Sequence, residues 1–256
     1  MDVMEDLFRS GVNTPLGSFI QQVLLTEATV LGVQNLPGGR YPFIEEFFYT
    51  FQASVLGHEL GVIKKVYGPG PYAVGFFLLT VLYAMTYYPN IYANSASTIH
   101  KFAHEKRMTV LELAVHLSVQ ISACLVAHQY VNWVWSSEIF HSLVLHWDPL
   151  SPCKTDIKVP LPLAITVEAT LTFAAKLFGH GKSQLPLGLL LHCAVILGLS
   201  LIGGPYTGGY FNPSLAFSLQ YRCNGHTDAE FFAVYFLGPT IGAFFLENMP
   251  IEYGKK

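Results

Sequence analysis

Hydrophobic positions in this 256-residue chain fall in long blocks separated by short polar breaks. Two windows carry no charge: 66–100, which is 35 residues between Lys65 and Lys101, and 183–221, which is 39 residues between Lys182 and Arg222. A helix that crosses a bilayer needs ~20 apolar residues. Each window is too long for one crossing and too short for two with a turn, so each predicts one full span followed by a half-helix. In the second window the run breaks at Gly203-Gly204-Pro205 and again at Gly208-Gly209, where helix propensity is poorest. Asn212-Pro213 then restarts a helix, with asparagine as N-cap and proline in the first helical position. In the first window the break falls around Tyr88-Pro89-Asn90, and Asn94-Ser95-Ala96 restarts the helix. A half-helix that begins at mid-membrane depth leaves irregular backbone there. Such backbone is tolerated only where it is buried in protein or lines a wet cavity. The pattern points to a pore.

The other apolar blocks predict spans at 43–63, 108–132, 161–178 and 231–246, beside those at 72–88 and 185–202. Residues 133–160 form a long polar loop. The expected architecture is an all-α integral membrane protein of six spans and two re-entrant half-helices. Residues 1–40 form an N-terminal cytosolic or interfacial segment, residues 41–248 the channel domain, and 249–256 a tail. The piece 19–32 is only moderately apolar, interrupted by Gln21, Gln22 and Glu27, and reads as an interfacial helix, with an extra span as the alternative.

The two halves repeat. Glu46 and Glu168 both open a Glu-x-x-x-Thr pattern, and the next half-helix asparagine follows 48 and 44 residues later, at Asn94 and Asn212. Three spans per half is an odd number, so the second copy (161–248) inserts upside down relative to the first (41–132). Inverted repeats bring the half-helix N-termini together at the midplane. Each N-terminus offers unpaired N–H groups and about +0.5 charge. Two such ends repel cations and leave a neutral hydroxylic molecule free to accept hydrogen bonds. Asn94 and Asn212 are expected to cap their helices and to turn an amide donor toward the permeant. Glu46 and Glu168 are expected to hold the neighbouring pore loops through backbone N–H groups. Function reads as passive conduction of small neutral solutes.

Composition narrows the class. The chain is 52% hydrophobic and 12% charged, with mean hydropathy +0.40, about half the ~25% charge of soluble domains. A net charge of −3 and the lack of a long basic run exclude nucleic acid as a partner. The acidic opening, Asp2, Glu5 and Asp6, is no signal peptide. With cytosolic termini, nine lysines and arginines lie inside and five outside (Lys64, Lys65, Lys154, Lys158 and Arg222), in the sense of the positive-inside rule. The partners expected are the lipid bilayer and small neutral solutes, with no cofactor and no metal.

Cys124 and Cys193 sit in apolar segments as core thiols. Cys153 and Cys223 fall in loops on the same, non-cytosolic face, where a disulfide and two unpaired thiols are both open. His100 and His104 share a helical face, a spacing that suits a metal, but no further histidine box supports a membrane metalloenzyme. A non-conducting member of the fold is the other alternative, since Tyr92, Tyr210 and Phe211 are bulky neighbours of the motifs.

On these residues the sequence resembles the aquaporin family, or major intrinsic proteins, over residues 43–246. Tyr206-Thr207-Gly208-Gly209-Tyr210-Phe211-Asn212-Pro213-Ser214 looks like the family's second Asn-Pro-Ala loop with serine for alanine. Asn94-Ser95-Ala96 departs further, with serine for proline. Gln120, and Gly238, Pro239 and Gly242 in Gly238-Pro239-Thr240-Ile241-Gly242, sit where the family has its helix contacts. The resemblance implies a selectivity filter at Val74, Ser200, Gly209 and Leu215. Orthodox members carry arginine at the position of Leu215, so this constriction is expected to be uncharged and open to glycerol or hydrogen peroxide. The altered first motif, Asn-Pro-Ser-Leu-Ala-Phe at 212–217, the segment Phe48-Tyr-Thr-Phe-Gln52 with His58-Glu59-Leu60, and Cys223 are similar to the superaquaporin, aquaporin-11-like group. That resemblance implies a homotetramer in an intracellular membrane, notably the endoplasmic reticulum, with the plasma membrane as the alternative.

Overall fold

The computed structural model describes residues 14–87, 91–105, 108–136, 153–180 and 186–245. The predicted break at Tyr88-Pro89-Asn90, the interior of the 133–160 loop, the tail and the side chain of His104 lie outside that set.

Helices α1 (Pro15–Gln34), α2 (Pro42–Tyr67), α3 (Pro69–Thr86), α4 (Ser95–Glu105) and α5 (Val110–Ser136) make up the first part of the chain. The second part contains α6 (Leu161–His180), α7 (Pro186–Thr207), α8 (Pro213–Gln220), α9 (Asp228–Phe232) and α10 (Gly238–Phe245). A π-helical turn, Ala233–Leu237, joins α9 to α10, and the three run on as one final span. Thr227 opens that span with a reciprocal capping box to Glu230. The half-helices are α4 and α8, with 11 and 8 residues.

Helices α2 and α5 run parallel. Phe43 meets His116 at one end, Ser54 meets Cys124 midway, and Glu59 accepts from Trp135 Nε1 (3.0 Å) toward the other. Helix α1 runs antiparallel to α2 between Tyr49 and Ile63. Ser18 Oγ donates to Glu59 (2.9 Å), Gln52 Nε2 donates to Glu27 (2.9 Å), and Gln34 Nε2 bonds the Tyr49 hydroxyl. Tyr130 on α5 donates to Gln22 (2.8 Å).

Residues 19–32, expected as an interfacial helix with an extra span as the alternative, lie within α1. An interfacial helix turns its polar side outward to water and headgroups. Here the polar groups of Ser18, Gln22 and Glu27 bond inward to α2 and α5, and Leu16, Ile20, Leu24, Leu25 and Leu31 are exposed. By length and hydropathy α1 is one of the helices able to cross a membrane. Thr14 starts at the Glu59 end of the bundle. Phe245 finishes near α4, where Phe244 packs on His100, at the opposite end.

A second difference concerns Gly203-Gly204-Pro205, where a break was expected. Helix α7 continues through it to Thr207. Pro205 falls in the last turn, so the hydrogen bond it removes lies near the end of the helix, where its loss is tolerated. The Tyr206 carbonyl is taken by the Lys158 N–H (2.9 Å) and that of Gly204 by Gly208 N–H (3.2 Å). The chain turns only at Gly208 and Gly209, with φ of 87° and 65°.

Candidate functional site

Each half-helix is capped by its own asparagine. Asn94 Oδ1 accepts from Ala96 N (3.0 Å) and Ser97 N (3.4 Å), and Asn212 Oδ1 from Ser214 N (3.0 Å) and Leu215 N (3.3 Å). Both asparagines also cross over. Asn212 Nδ2 donates to the Ala93 carbonyl (2.9 Å), and Asn94 Nδ2 donates to the Phe211 carbonyl (3.4 Å). The two N-termini thus meet, and one amide N–H of each asparagine ties the loops together rather than facing a permeant. The residues just before them, Ala93 and Phe211, have φ of 45° and 37° and are the positive-φ non-glycine residues among those described. Non-glycine residues adopt this region rarely and at an energetic cost.

The carboxylates fix that conformation. Glu46 Oε1 accepts from Ala93 N (2.8 Å) and its Oε2 from Tyr92 N (3.3 Å). Glu168 Oε2 accepts from Phe211 N (2.7 Å), and its Oε1 from Tyr210 N (3.3 Å) and Thr207 Oγ1 (2.6 Å). Both side chains are fully buried. The match between the halves, residue for residue, is the inverted repeat in three dimensions.

Gln120 joins the halves. Its Nε2 donates to Glu46 Oε1 (2.6 Å) and Thr98 Oγ1 (2.9 Å), and its Oε1 lies 2.7 Å from Ser95 Oγ and 3.1 Å from Ser214 Oγ. The two serine oxygens are 2.7 Å apart, and Ser95 N donates to Ser214 Oγ (3.1 Å). Each hydroxyl has one proton, so one serine bonds Gln120 while the other bonds its partner serine. Proline at position 95 would lack the donated N–H, and alanine at 214 the accepting oxygen. The two motif departures are therefore one coupled feature. Only their shared departure from the usual motif could have signalled it in the sequence.

Of the four residues expected at a filter, Val74 stands apart from the others. Val74 is 62% exposed, in a stripe with Leu78 and Met85 on the outer face of α3. Two residues earlier the helix presents its other side, and there the Tyr72 hydroxyl lies 3.4 Å from Ser200 Oγ on α7. Tyr72, not Val74, is therefore the α3 residue that reaches α7. Ser200 is buried. Gly209 touches α7 so closely that a Cβ there would lie 2.7 Å from the Ser200 carbonyl oxygen, which excludes any side chain. Leu215 leans on Gly57 of α2, whose added Cβ would meet Leu215 Cδ1 at 2.9 Å. Tyr210 turns away from the axis, donating to Asp156 (2.7 Å) and packing with Tyr235.

Gly238 and Gly242 press the last span onto α6. A Cβ on Gly238 would sit 3.0 Å from the Ile165 carbonyl oxygen, and one on Gly242 would collide with the Ala169 carbonyl. Pro239 is buried beside them. Cys153 and Cys223 form a disulfide, and Cys124 and Cys193 are buried free thiols, with Cys124 Sγ donating to the Ser214 carbonyl (3.0 Å). Among the described residues no three His, Cys, Asp or Glu side chains group as metal ligands.

A solved aquaglyceroporin from Plasmodium falciparum superposes with a TM-score of 0.58 at 19% identity, covering 80% of this chain and 92% of that one. The fold is that of an aquaporin. No protein-family model matches the chain. Curated relatives do: Aquaporin-11 of Homo sapiens is 29% identical over 239 residues, covering 90% of this chain and 85% of the relative. Aquaporin-11 of Milnesium tardigradum is 27% identical over 202 residues, 78% of this chain and 72% of the relative. Putative aquaporin-12B of Homo sapiens is 28% identical over 240 residues, 91% and 78%. The resemblance to the aquaporin-11-like group therefore extends over most of the chain, and with the aquaporin fold it makes this an integral membrane channel rather than an enzyme.

Proposed function

We propose that the chain conducts water and small neutral solutes, glycerol and hydrogen peroxide among them, through a pore in each protomer. The observation that carries this reading is the meeting of two capped half-helix N-termini, whose positive ends repel cations at the point where the two loops meet. A relative named an aquaglyceroporin by its structure, and a filter set without arginine, favour solutes beyond water. Stopped-flow light scattering on proteoliposomes tests it with water, glycerol and peroxide. Asn212→Asp keeps the capping oxygen and loses the donor to Ala93, and it sets a negative charge against both positive ends. Neutral flux is expected to fall several-fold, and cations to begin to leak. Wild-type flux equal to that of empty liposomes for all three solutes would sink the channel reading.

The assembly suggested by the family resemblance is a homotetramer in an intracellular membrane. A disulfide requires an oxidising compartment on one face, and the lumen of the endoplasmic reticulum supplies one. Lys64, Lys158, Cys153–Cys223 and the start of α1 share one end of the bundle. Thr14, at the start of α1, then lies on the lumenal side and Phe245 on the cytosolic side, a placement that differs from the cytosolic one expected for both ends. In microsomes, an Asn-Gly-Thr acceptor tag placed ahead of α1 should be glycosylated, and the same tag at the C-terminus should not. Two unmodified tags, with a lumenal tag beside Cys153 modified as control, would return the N-terminus to the cytosol.

A further inference from the structure

The filter position that carries arginine in orthodox relatives is Leu215 here, and Leu215 is spent on packing against Gly57. A cation nevertheless stands at the same mouth. Lys64 lies in the last turn of α2, and its ammonium sits over the ring of Tyr72, 5.1 Å from the centroid. The hydroxyl end of that ring meets Ser200 on α7. The same Nζ lies 4.0 Å from where a Cβ on Gly204 would be, one helical turn beyond Ser200. The side chain therefore leaves α2, passes above α3 and reaches α7, across the entrance that Tyr72, Ser200 and Gly209 define.

We infer that Lys64 is the selectivity cation of this channel, restoring from α2 the charge that Leu215 removes from the half-helix. The inference rests on the conducting reading above. A compact, strongly hydrated ammonium on a flexible stem is held in place by the Tyr72 face. Among the described residues no carboxylate lies within ion-pair distance of it. Asp156, the nearby acid that acts on Tyr72, is engaged by the Tyr210 hydroxyl. Lys64 thus retains charge and donors for whatever enters. A positive group there repels cations ahead of the midplane barrier and donates to a hydroxyl or carbonyl oxygen. Because the stem is flexible, the gap it guards admits larger neutral solutes than a fixed guanidinium would.

Lys64→Met, Lys64→Arg and, as a same-face control, Lys154→Met are compared with wild type in proteoliposomes, reading sodium leak, water flux and glycerol flux together. Lys64→Met should raise sodium leak relative to water flux by about tenfold, the scale on which a focused surface charge changes local ion concentration. Lys64→Arg should keep ions out and lower glycerol relative to water, and Lys154→Met should match wild type. If wild type conducts and Lys64→Met leaves both ratios unchanged, Lys64 is no filter, although the channel stands. If wild type and every variant match empty liposomes, the channel reading falls and this inference falls with it.

Discussion

Replacing Glu168 with alanine is expected to unfold the second pore loop and to cost the whole protein much of its stability. The carboxylate accepts from Phe211 N, Tyr210 N and Thr207 Oγ1, and Phe211 is held in a left-handed conformation that it would not choose alone. A buried donor left without its acceptor costs about 1–3 kcal/mol. Three of them put the loss on the order of 3–9 kcal/mol, comparable to the marginal stability of many domains. Glu168→Gln keeps a carbonyl for part of the set but turns an amide donor toward another N–H, so it should fall between the two. The measurement is thermal unfolding in detergent with size-exclusion chromatography of the same samples. An alanine variant that stays monodisperse and melts with the parent would show that the loop is held by something else. Glu46, which holds the first loop and is itself bonded by Gln120, should respond in the same direction.

The other large effect is expected from a single methyl group at Gly242. A Cβ there would strike the Ala169 carbonyl and lie 2.8 Å from its carbon atom. The obstacle is backbone, which cannot rotate aside as a side chain can. Without a hydrophobic force between helices in lipid, close backbone approach is what holds the last span to α6. Gly242→Ala should therefore separate the two helices at a cost of about 3 kcal/mol, the upper range for overpacking. Because Glu168 lies on the same stretch of α6, loop position and solute flux should suffer with it. Gly198→Ala on α7 is the control, since nothing lies within 4 Å of its added Cβ. It should be neutral or slightly stabilising, because alanine favours a helix over glycine by about 1 kcal/mol. Equal melting of the two variants would remove the contact from the explanation.

Much of this architecture is legible along the chain, because in lipid the backbone must satisfy its own hydrogen bonds and only length and apolarity decide where a helix crosses. The two uncharged windows, the glutamates and the half-helix asparagines mark the channel fold without reference to contacts. Helix α1 is the counter-example. Gln22 and Glu27 look too polar for lipid until Tyr130 and Gln52 are seen to receive them, and the polarity that suggested an interface is what fastens the helix to the bundle. At Gly203-Gly204-Pro205 local propensity pointed to a break. The tertiary context used Gly203 instead to let Gly209 approach, and kept the helix.

The sequence by itself marked the apolar segments of the channel fold apart from α1, that two of them stop halfway, and which residues cap and hold those stops. These features depend on composition and on local helix chemistry, both of which act within a few residues. The tertiary structure alone decided that α1 stands beside α2, that Tyr72 and not Val74 faces Ser200, that Ser95 and Ser214 compensate each other, and that Lys64 reaches the entrance. Each of these depends on the rotation of one helix against another. A helix turns about 100° per residue, so a register difference of two positions reverses the face presented, and only packing sets that register.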